Sequence, residues 1–202
     1  YSSAAITSNT GDVNITGTSV TGGGVTLQGS VTAQNNVTIN GTSSSTSSAA
    51  QGVVIQNAVK ANTGDITVTG NTNSNVQRAV ALTVNGAVNG SLQTLAAGRN
   101  ININADTLYV HTSTNVNATS TGTVNIKTTN GNRIELGSGD TMNSTAASRV
   151  LGLDQGELDR ITSGQLNIGD VSGGNIKVAS AITTATSNGH LALLTGGNIA
   201  ID

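Results

Sequence analysis

The side chains best suited to chemistry in this 202-residue chain are its ten acidic residues. They are Asp12, Asp65, Asp106, Glu135, Asp140, Asp154, Glu157, Asp159, Asp170 and Asp202. Glycoside hydrolysis needs two carboxyl groups within about 5–10 Å of each other, one of them with a raised pKa. These carboxyls are thinly spread along the chain, and Tyr109 is the only aromatic residue in its body. We therefore expect no enzyme and assign no catalytic residue; a polysaccharide-processing enzyme is the weakest alternative.

The densest charged segment is Leu151–Ile161, with the sequence LGLDQGELDRI. It carries Asp154, Glu157, Asp159 and Arg160. Asp154 and Glu157 have the spacing of a capping box. Leu153, Leu158 and Ile161 are expected to form the apolar side of one or two helical turns. The segment predicts a short helical insertion at 151–161, with a helical turn near 154–161 and its charges in solvent rather than in a site.

Metal and cofactor sites are not predicted. His111 and His190 stand without Cys or acidic neighbours at zinc-ligand spacing. Gly-Asp dipeptides at 11–12, 64–65, 139–140 and 169–170 are similar to the Asp of calcium-binding nonapeptide repeats. One carboxylate per repeat is too few for Ca²⁺, which takes 6–8 oxygens, so a turn role is favoured and calcium stays open.

Thr-x-Thr pairs suggest ice binding as an alternative function. They occur at Thr67/Thr69, Thr112/Thr114 and Thr119/Thr121/Thr123. A flat ice-binding row needs one pair in each repeat at the same phase, and these pairs recur irregularly. The pattern therefore gives ice binding little support.

The composition is unlike that of an ordinary globular domain. Charged residues make up 9% and aromatic residues 1%, with no Pro and no Cys. Disorder is disfavoured because 35% of residues are apolar and stand at strand spacing. The net charge is −2 and the sequence has no basic patch, so nucleic acid is not predicted as a partner. No apolar run is long enough for membrane insertion.

Short apolar-x-apolar units run along the whole chain, separated by Gly-, Asn-, Ser- and Thr-rich linkers. They begin at Val13, Val25, Val37, Val53, Ile66, Val80, Ile101, Leu108, Val124, Ile134, Leu166, Ile176, Leu191 and Ile199, with Leu92 standing singly. Alternation over so few residues predicts very short strands. No such strand is stable alone, so the strands must stack on one another as in a solenoid.

The spacing of alternate units sets the expected repeat. Val13 and Val37 are 24 residues apart, and Ile101 and Val124 are 23 apart. We predict an all-β parallel β-helix of about eight coils of roughly 23–26 residues. Each coil would hold two principal strands and a minor one such as Ala181–Thr183. The chain would be a single β-helix segment, 1–202, of a longer protein, with a polar loop at 41–50.

Within each strand, the flanking Val, Ile and Leu should point inward and the middle residue outward. Outward Thr and Asn side chains should form hydrogen-bonded ladders between coils. Gly and Asn beside the strands suit the corners, where the backbone turns tightly or approaches closely.

The last fifty or so residues resemble the repeats of very large filamentous-haemagglutinin-like exoproteins. The resemblance is carried by Leu151–Ile161, Leu166-Asn-Ile-Gly169, Gly174-Asn-Ile-Lys-Val178 and His190-Leu-Ala-Leu-Leu-Thr-Gly-Gly-Asn-Ile199. Such proteins are bacterial surface or secreted proteins, often exported by two-partner secretion, and their shafts are right-handed parallel β-helices. The family's secretion domain and cell-binding motifs are not recognisable in this chain. The resemblance therefore implies the shaft of such an adhesin rather than its head.

From these observations we expect a structural or adhesive shaft of a cell-surface or secreted filamentous protein, of the kind found in biofilms. Its location would be extracellular or on the bacterial cell surface. Its partners would be copies of itself, stacked head to tail or laterally into fibres, or host and surface ligands bound through other parts of the parent protein.

Overall fold

The computed structural model describes residues 2–48, 50–143, 145–183 and 189–202, and they are nearly all β. The strands of the first half are β1 (Ile6–Ser8), β2 (Val13–Ser19), β3 (Val25–Leu27), β4 (Val31–Ala33), β5 (Val37–Ser43), β6 (Val53–Ile55), β7 (Ala58–Ala61), β8 (Ile66–Thr72), β9 (Val80–Leu82), β10 (Val84–Asn85), β11 (Val88–Asn89) and β12 (Ser91–Thr94). Those of the second half are β13 (Asn100–Ala105), β14 (Leu108–Val110), β15 (Asn115–Asn117), β16 (Thr123–Lys127), β17 (Arg133–Leu136), β18 (Val150–Leu153), β19 (Ile161–Thr162), β20 (Gln165–Gly169), β21 (Ile176–Val178), β22 (His190–Leu194) and β23 (Ile199–Ile201).

Two short helical pieces accompany the strands: a 3₁₀ turn at Ala146–Ser148 and helix α1 at Gln155–Leu158. Helix α1 confirms the predicted helical turn, including the capping box between Asp154 and Glu157. In the described part of the chain, neither piece has the length or apolar character of a membrane-crossing helix.

The strands form four parallel sheets. The seven-stranded sheet has the order β2-β5-β8-β13-β16-β20-β22, and the six-stranded sheet has the order β1-β4-β7-β12-β15-β19. The first four-stranded sheet is β14-β9-β6-β3 and the second is β18-β17-β21-β23. Apart from the hairpin of β10 and β11, successive strands of the first half enter the six-, seven- and first four-stranded sheets in rotation. This arrangement of stacked parallel sheets is compatible with a parallel β-helix.

The predicted spacing is present in part. Val13 pairs with Val37, Ile101 with Val124, Leu166 with Leu191 and Ile176 with Ile199. Other neighbours in the seven-stranded sheet are farther apart in sequence, by 29, 35 or 42 residues. The stack therefore keeps its register while the connecting segments vary in length.

Most strands alternate as predicted, with inward Val, Ile and Leu residues that share one continuous core. The prediction was wrong for β6 and β9, whose middle residues are buried as well. In β8 and β13 every second residue is buried. On the outer face, Asn125 donates its side-chain amide to Asn102 at 2.9 Å, and Asn167 donates to Asn125 at 2.8 Å. Asn102 in turn donates to Thr67 at 3.3 Å, so the predicted polar ladder between layers is confirmed across four strands.

Glycine marks one corner of the stack. Gly17, Gly41 and Gly70 pair with one another in register in the seven-stranded sheet. A Cβ atom on any of them would lie 2.1–2.2 Å from the carbonyl oxygen of a residue just ahead of a strand in the first four-stranded sheet. The backbone passes too closely there for any side chain, as expected for a corner.

Several predicted boundaries were wrong. The polar loop expected at 41–50 starts later, because Gly41–Ser43 continues β5 in register with β2 and β8; Ala49 lies outside the described residues. The helical insertion expected at 151–161 begins as strand, since Val150–Leu153 is β18.

The unit that begins at Val80 was predicted to continue to Val84, but its strand ends at Leu82, and Val84 belongs to the antiparallel hairpin of β10 and β11. The minor strand expected at Ala181–Thr183 is not a strand either. A third strand per layer does exist in the first half, but it lies in the six-stranded sheet.

Candidate functional site

Charged side chains from distant parts of the chain meet beside α1. Arg78, Tyr109, Asp140, Glu157 and Arg160 line a pocket of about 160 Å³ there. Arg78 precedes β9, Tyr109 lies in β14, and Asp140 lies in the segment that connects β17 to β18. We call this group of five side chains the charged cluster.

Asp140 is the most deeply placed member of the charged cluster. Its side chain is 1% exposed, and one carboxylate oxygen accepts the backbone N–H of Gly152 at 2.9 Å. The other oxygen lies 3.5 Å from Nε of Arg78, and within the described residues neither atom completes a hydrogen bond. Arg78 also stacks on the Tyr109 ring, with 4.9 Å from Cζ to the ring centre.

Burial raises the pKa of the Asp140 carboxyl to about 7. The negative charge of Glu157 raises this pKa further, whereas the hydrogen bond from Gly152 and the charge of Arg78 oppose the rise. Burial likewise raises the pKa of Glu157, against the hydrogen bonds that it accepts. Asp140 is therefore a carboxyl that changes charge near neutral pH.

The side chains of the α1 region cap the edge of the first four-stranded sheet, which ends at β14. Glu157 accepts the backbone N–H of Val110 at 3.0 Å, and Arg160 donates to the Val110 carbonyl at 2.7 Å. The second carboxylate oxygen of Glu157 accepts the backbone N–H of Asp154 at 3.3 Å. Both backbone groups of Val110 that point away from β9 thus have charged partners, which protects a strand edge from pairing elsewhere.

The expectation of a solvated helical turn was wrong for one residue. Glu157 is 6% exposed, while Asp154, Asp159 and Arg160 keep contact with solvent. Leu158 is buried in the shared core, so α1 is anchored by one apolar and one acidic side chain. The buried carboxylate is explained by its two backbone donors, because a buried charge needs hydrogen-bond partners.

The histidines occupy separate positions. His111 accepts the backbone N–H of Ser113 through Nδ1 at 3.1 Å and meets the edge of the Tyr109 ring. His190 lies exposed in β22. Over residues 2–48, 50–143, 145–183 and 189–202, no three His, Cys, Asp or Glu side chains are grouped as metal ligands would be.

Of the three Gly-Asp aspartates outside the charged cluster, Asp12 and Asp65 link neighbouring layers, and only Asp170 holds the turn in which it lies. Asp12 accepts the backbone N–H of Asn36 at 2.9 Å, and Asp65 accepts that of Asn100 at 2.9 Å, each in the next layer. Asp170 accepts the side-chain hydroxyl of Ser172 and the backbone N–H of the same residue, the latter at 2.7 Å, and these two hydrogen bonds hold the pKa of Asp170 below its usual range. Asp140 alone of the four belongs to the charged cluster.

The Thr-x-Thr pairs do not form one row. Thr67 and Thr69 lie on the outer face of β8, where their neighbours in β13 are Asn102 and Asn104. Thr112/Thr114 and Thr119/Thr121 lie outside strands, and Thr119 has a positive φ of 62°. The geometry needed for a flat ice-binding row is therefore missing from these pairs.

A larger polar groove, of about 760 Å³, lies over the outer face of the seven-stranded sheet. Its lining includes Asn104, Asn130 and the ion pair between Lys127 and Asp170, at 3.0 Å. Asp106 anchors one wall by accepting the backbone N–H of Asn130 at 3.1 Å. The groove is lined mainly by amides, hydroxyls and glycine backbone, and it holds no aromatic side chain.

Only part of the charged cluster is predictable from the sequence. Glu157 and Arg160 lie in the predicted helical turn, whereas nothing in the local sequence marks Arg78, and the Gly-Asp dipeptide at Asp140 predicts only a turn. The missing signal was three-dimensional, because the pairing of β9 with β14 brings Arg78 to Tyr109. No family model, curated protein or solved structure matches this chain.

Proposed function

We propose that the stacked sheets form a right-handed parallel β-helix and that this β-helix is the structural or adhesive shaft of a filamentous protein. The observation that carries the proposal is the seven-stranded parallel sheet, whose inward Val, Ile and Leu residues stack in register. Seven strands in one sheet support a number of coils near the expected eight. The resemblance of the last fifty residues supports a bacterial cell-surface or extracellular location.

The mechanism of such a shaft is mechanical. Continuous backbone hydrogen bonding between layers resists bending and leaves few exposed segments for proteases. The side-chain ladder from Thr67 through Asn102 and Asn125 to Asn167 adds a second set of bonds along the stacking direction. Narrow layers filled by Val, Ile and Leu need none of the large aromatic residues that this chain lacks.

The final layer supports assembly with a second copy of the chain. Leu166 and Ile176 are fully buried, but their register partners Leu191 and Ile199 are 36% and 48% exposed. Ile201 is 78% exposed. An open strand edge with exposed apolar side chains is a template for another layer of strands.

The first layer offers a matching surface. Ile6, Ile15 and Val25 line an open cavity of about 220 Å³ at the first strands of three sheets. Head-to-tail stacking would place the final layer of one copy over this cavity, and repeated contacts of that kind build a filament. We propose that a further layer of strands covers each end and that a copy of the same chain supplies it when the 202-residue segment is studied by itself.

The charged cluster supports the shaft better than a polysaccharide-processing enzyme. It brings Asp140 and Glu157 together, with Asp154 also lining the pocket, as an acid–base site would. However, Asp140 accepts the backbone N–H of Gly152 and Glu157 accepts that of Val110, so these carboxylate oxygens already have hydrogen-bond partners within the chain. The pocket is also small. These contacts fasten α1 to the stack.

Sedimentation velocity and negative-stain electron microscopy over a range of protein concentrations test the assembly. We expect end-to-end chains of particles that lengthen with concentration. Separate particles at the highest concentration would exclude head-to-tail assembly. Globular rather than elongated assemblies would exclude the shaft.

A further inference from the structure

The first and second four-stranded sheets meet at an unpaired boundary. Strand β14 ends the first sheet and β18 begins the second, and the two strands are in contact without sharing a ladder. Glu157 of α1 bridges the boundary instead, because it accepts the backbone N–H of Val110 in β14. Asp140 lies beside it: one carboxylate oxygen accepts from Gly152 in β18, and the other lies 3.5 Å from Nε of Arg78, ahead of β9 in the first sheet. We call this boundary, with its two carboxylates, the seam.

The seam has a fine balance of charge. The groups that face Asp140 are Arg78 ahead of β9, Tyr109 in β14 and Asp154, Glu157 and Arg160 around α1, with His111 behind the Tyr109 ring. Arg160 donates a hydrogen bond to the Val110 carbonyl, and Arg78 is the cation that lies beside Asp140. A second buried carboxylate charge beside Glu157 is thus poorly compensated.

We propose that α1 and its flanking residues are a pH-sensitive cover, closed over the edge of β14 while Asp140 is protonated and released when Asp140 ionises. Release frees the N–H and carbonyl of Val110, which Glu157 and Arg160 hold in the closed form. The freed edge is then able to pair with another strand.

The direction of the pH effect follows from linkage. In the closed form the pKa of Asp140 is raised from 3.8 to about 7, so closure binds a proton that the open form releases. Closure is therefore favoured most at low pH and weakens as pH rises toward 7. Above pH 7 both forms are ionised and the opening equilibrium levels off. The raised pKa of Glu157 acts in the same direction.

Hydrogen exchange at the Val110 amide measures the opening directly, because that N–H is held by Glu157. After correction for intrinsic exchange, we expect the opening constant to rise by about tenfold per pH unit for one linked proton. The rise should end near pH 7. The amide of Ile39, in the middle of β5, should not show this local opening.

Three variants make the test specific. Asp140→Asn should reduce the pH slope at Val110. Asp170→Asn replaces a half-buried aspartate that also follows Gly but lies outside the charged cluster, and it should leave the slope unchanged. In Arg78→Gln the rise of the opening constant should continue to higher pH, because the variant removes a charge that lowers the pKa of Asp140. This variant also tests the proposal if Asp140→Asn does not fold.

Three results would overturn the cover. They are a pH-independent opening constant at Val110, an unchanged slope in Asp140→Asn, and an equal slope at Ile39, which would mean global unfolding.

Discussion

Glu157 accepts the backbone N–H of Val110 at 3.0 Å, although 47 residues separate them. The carboxylate takes the place that a carbonyl of another strand would take beside β14. Both partners are buried, so the bond cannot be replaced by water without opening the structure. A helix of four residues thereby closes the edge of a parallel sheet.

Variants of Glu157 test how much the two hydrogen bonds that it accepts contribute to stability. Glu157→Ala leaves the N–H groups of Val110 and Asp154 without their acceptor, and we expect a loss of about 1–3 kcal/mol in the free energy of unfolding. Glu157→Gln keeps one amide oxygen as acceptor and should lose less. Urea unfolding at one pH measures both variants. Equal stability of Glu157→Ala and the parent chain would show that the capping bonds contribute nothing.

Gly41 should not tolerate a side chain. A Cβ atom there would lie 2.1 Å from the Gly52 carbonyl oxygen, which belongs to rigid backbone. We expect Gly41→Ala to destabilise the protein by about 1–3 kcal/mol, as overpacking does.

Gly22→Ala is the matched control, because the nearest atom to its added Cβ is 3.8 Å away. Its effect on urea unfolding should stay within about 0.5 kcal/mol. Similar losses in the two variants would argue against close backbone approach at the corner.

Ile201 should matter for assembly and not for folding. Its side chain is in register with Val178 in the layer before and is 78% exposed. Ile201→Lys places a charge on the open face of the final layer, where a second copy would have to bury it. Sedimentation velocity should show fewer and shorter assemblies for this variant, with an unchanged circular dichroism spectrum.

Val171→Lys controls for loss of surface hydrophobicity, since Val171 is also 78% exposed but lies outside the strands. It should assemble like the parent chain. Equal loss of assembly in both variants would point to nonspecific association.

The sequence predicts the strands of two faces well and those of a third poorly. Units such as Val37–Ile39 and Ile101–Ile103 carry two large apolar residues and are recognised by alternation. Strands of the six-stranded sheet carry fewer or smaller ones: β15 is Asn-Val-Asn, and β4 pairs Val31 only with Ala33. Those strands form because the neighbouring layers supply their hydrogen bonds, a contribution that a local pattern cannot contain.

The charged cluster was predictable only where it is local. The capping box of Asp154 and Glu157 spans four consecutive residues, so its spacing is visible in the sequence. Asp140 sits in a Gly-Asp dipeptide like those of Asp12 and Asp170, yet it alone is buried. What distinguishes it is the position of Arg78 and of the β14 edge, which depends on the register of distant strands.

Engineered disulfides test the stacked register most directly, because the chain contains no cysteine. Thr67 and Asn102 face outward on adjacent strands as register partners. Adjacent strands bring paired Cα atoms to about 4.8 Å, within disulfide range, whereas a shift of two residues exceeds about 7 Å. We predict that Thr67→Cys with Asn102→Cys forms an intramolecular disulfide and that Thr67→Cys with Asn104→Cys does not. Cross-linking of the second pair, or of neither, would contradict the in-register parallel stack on which the proposed shaft depends.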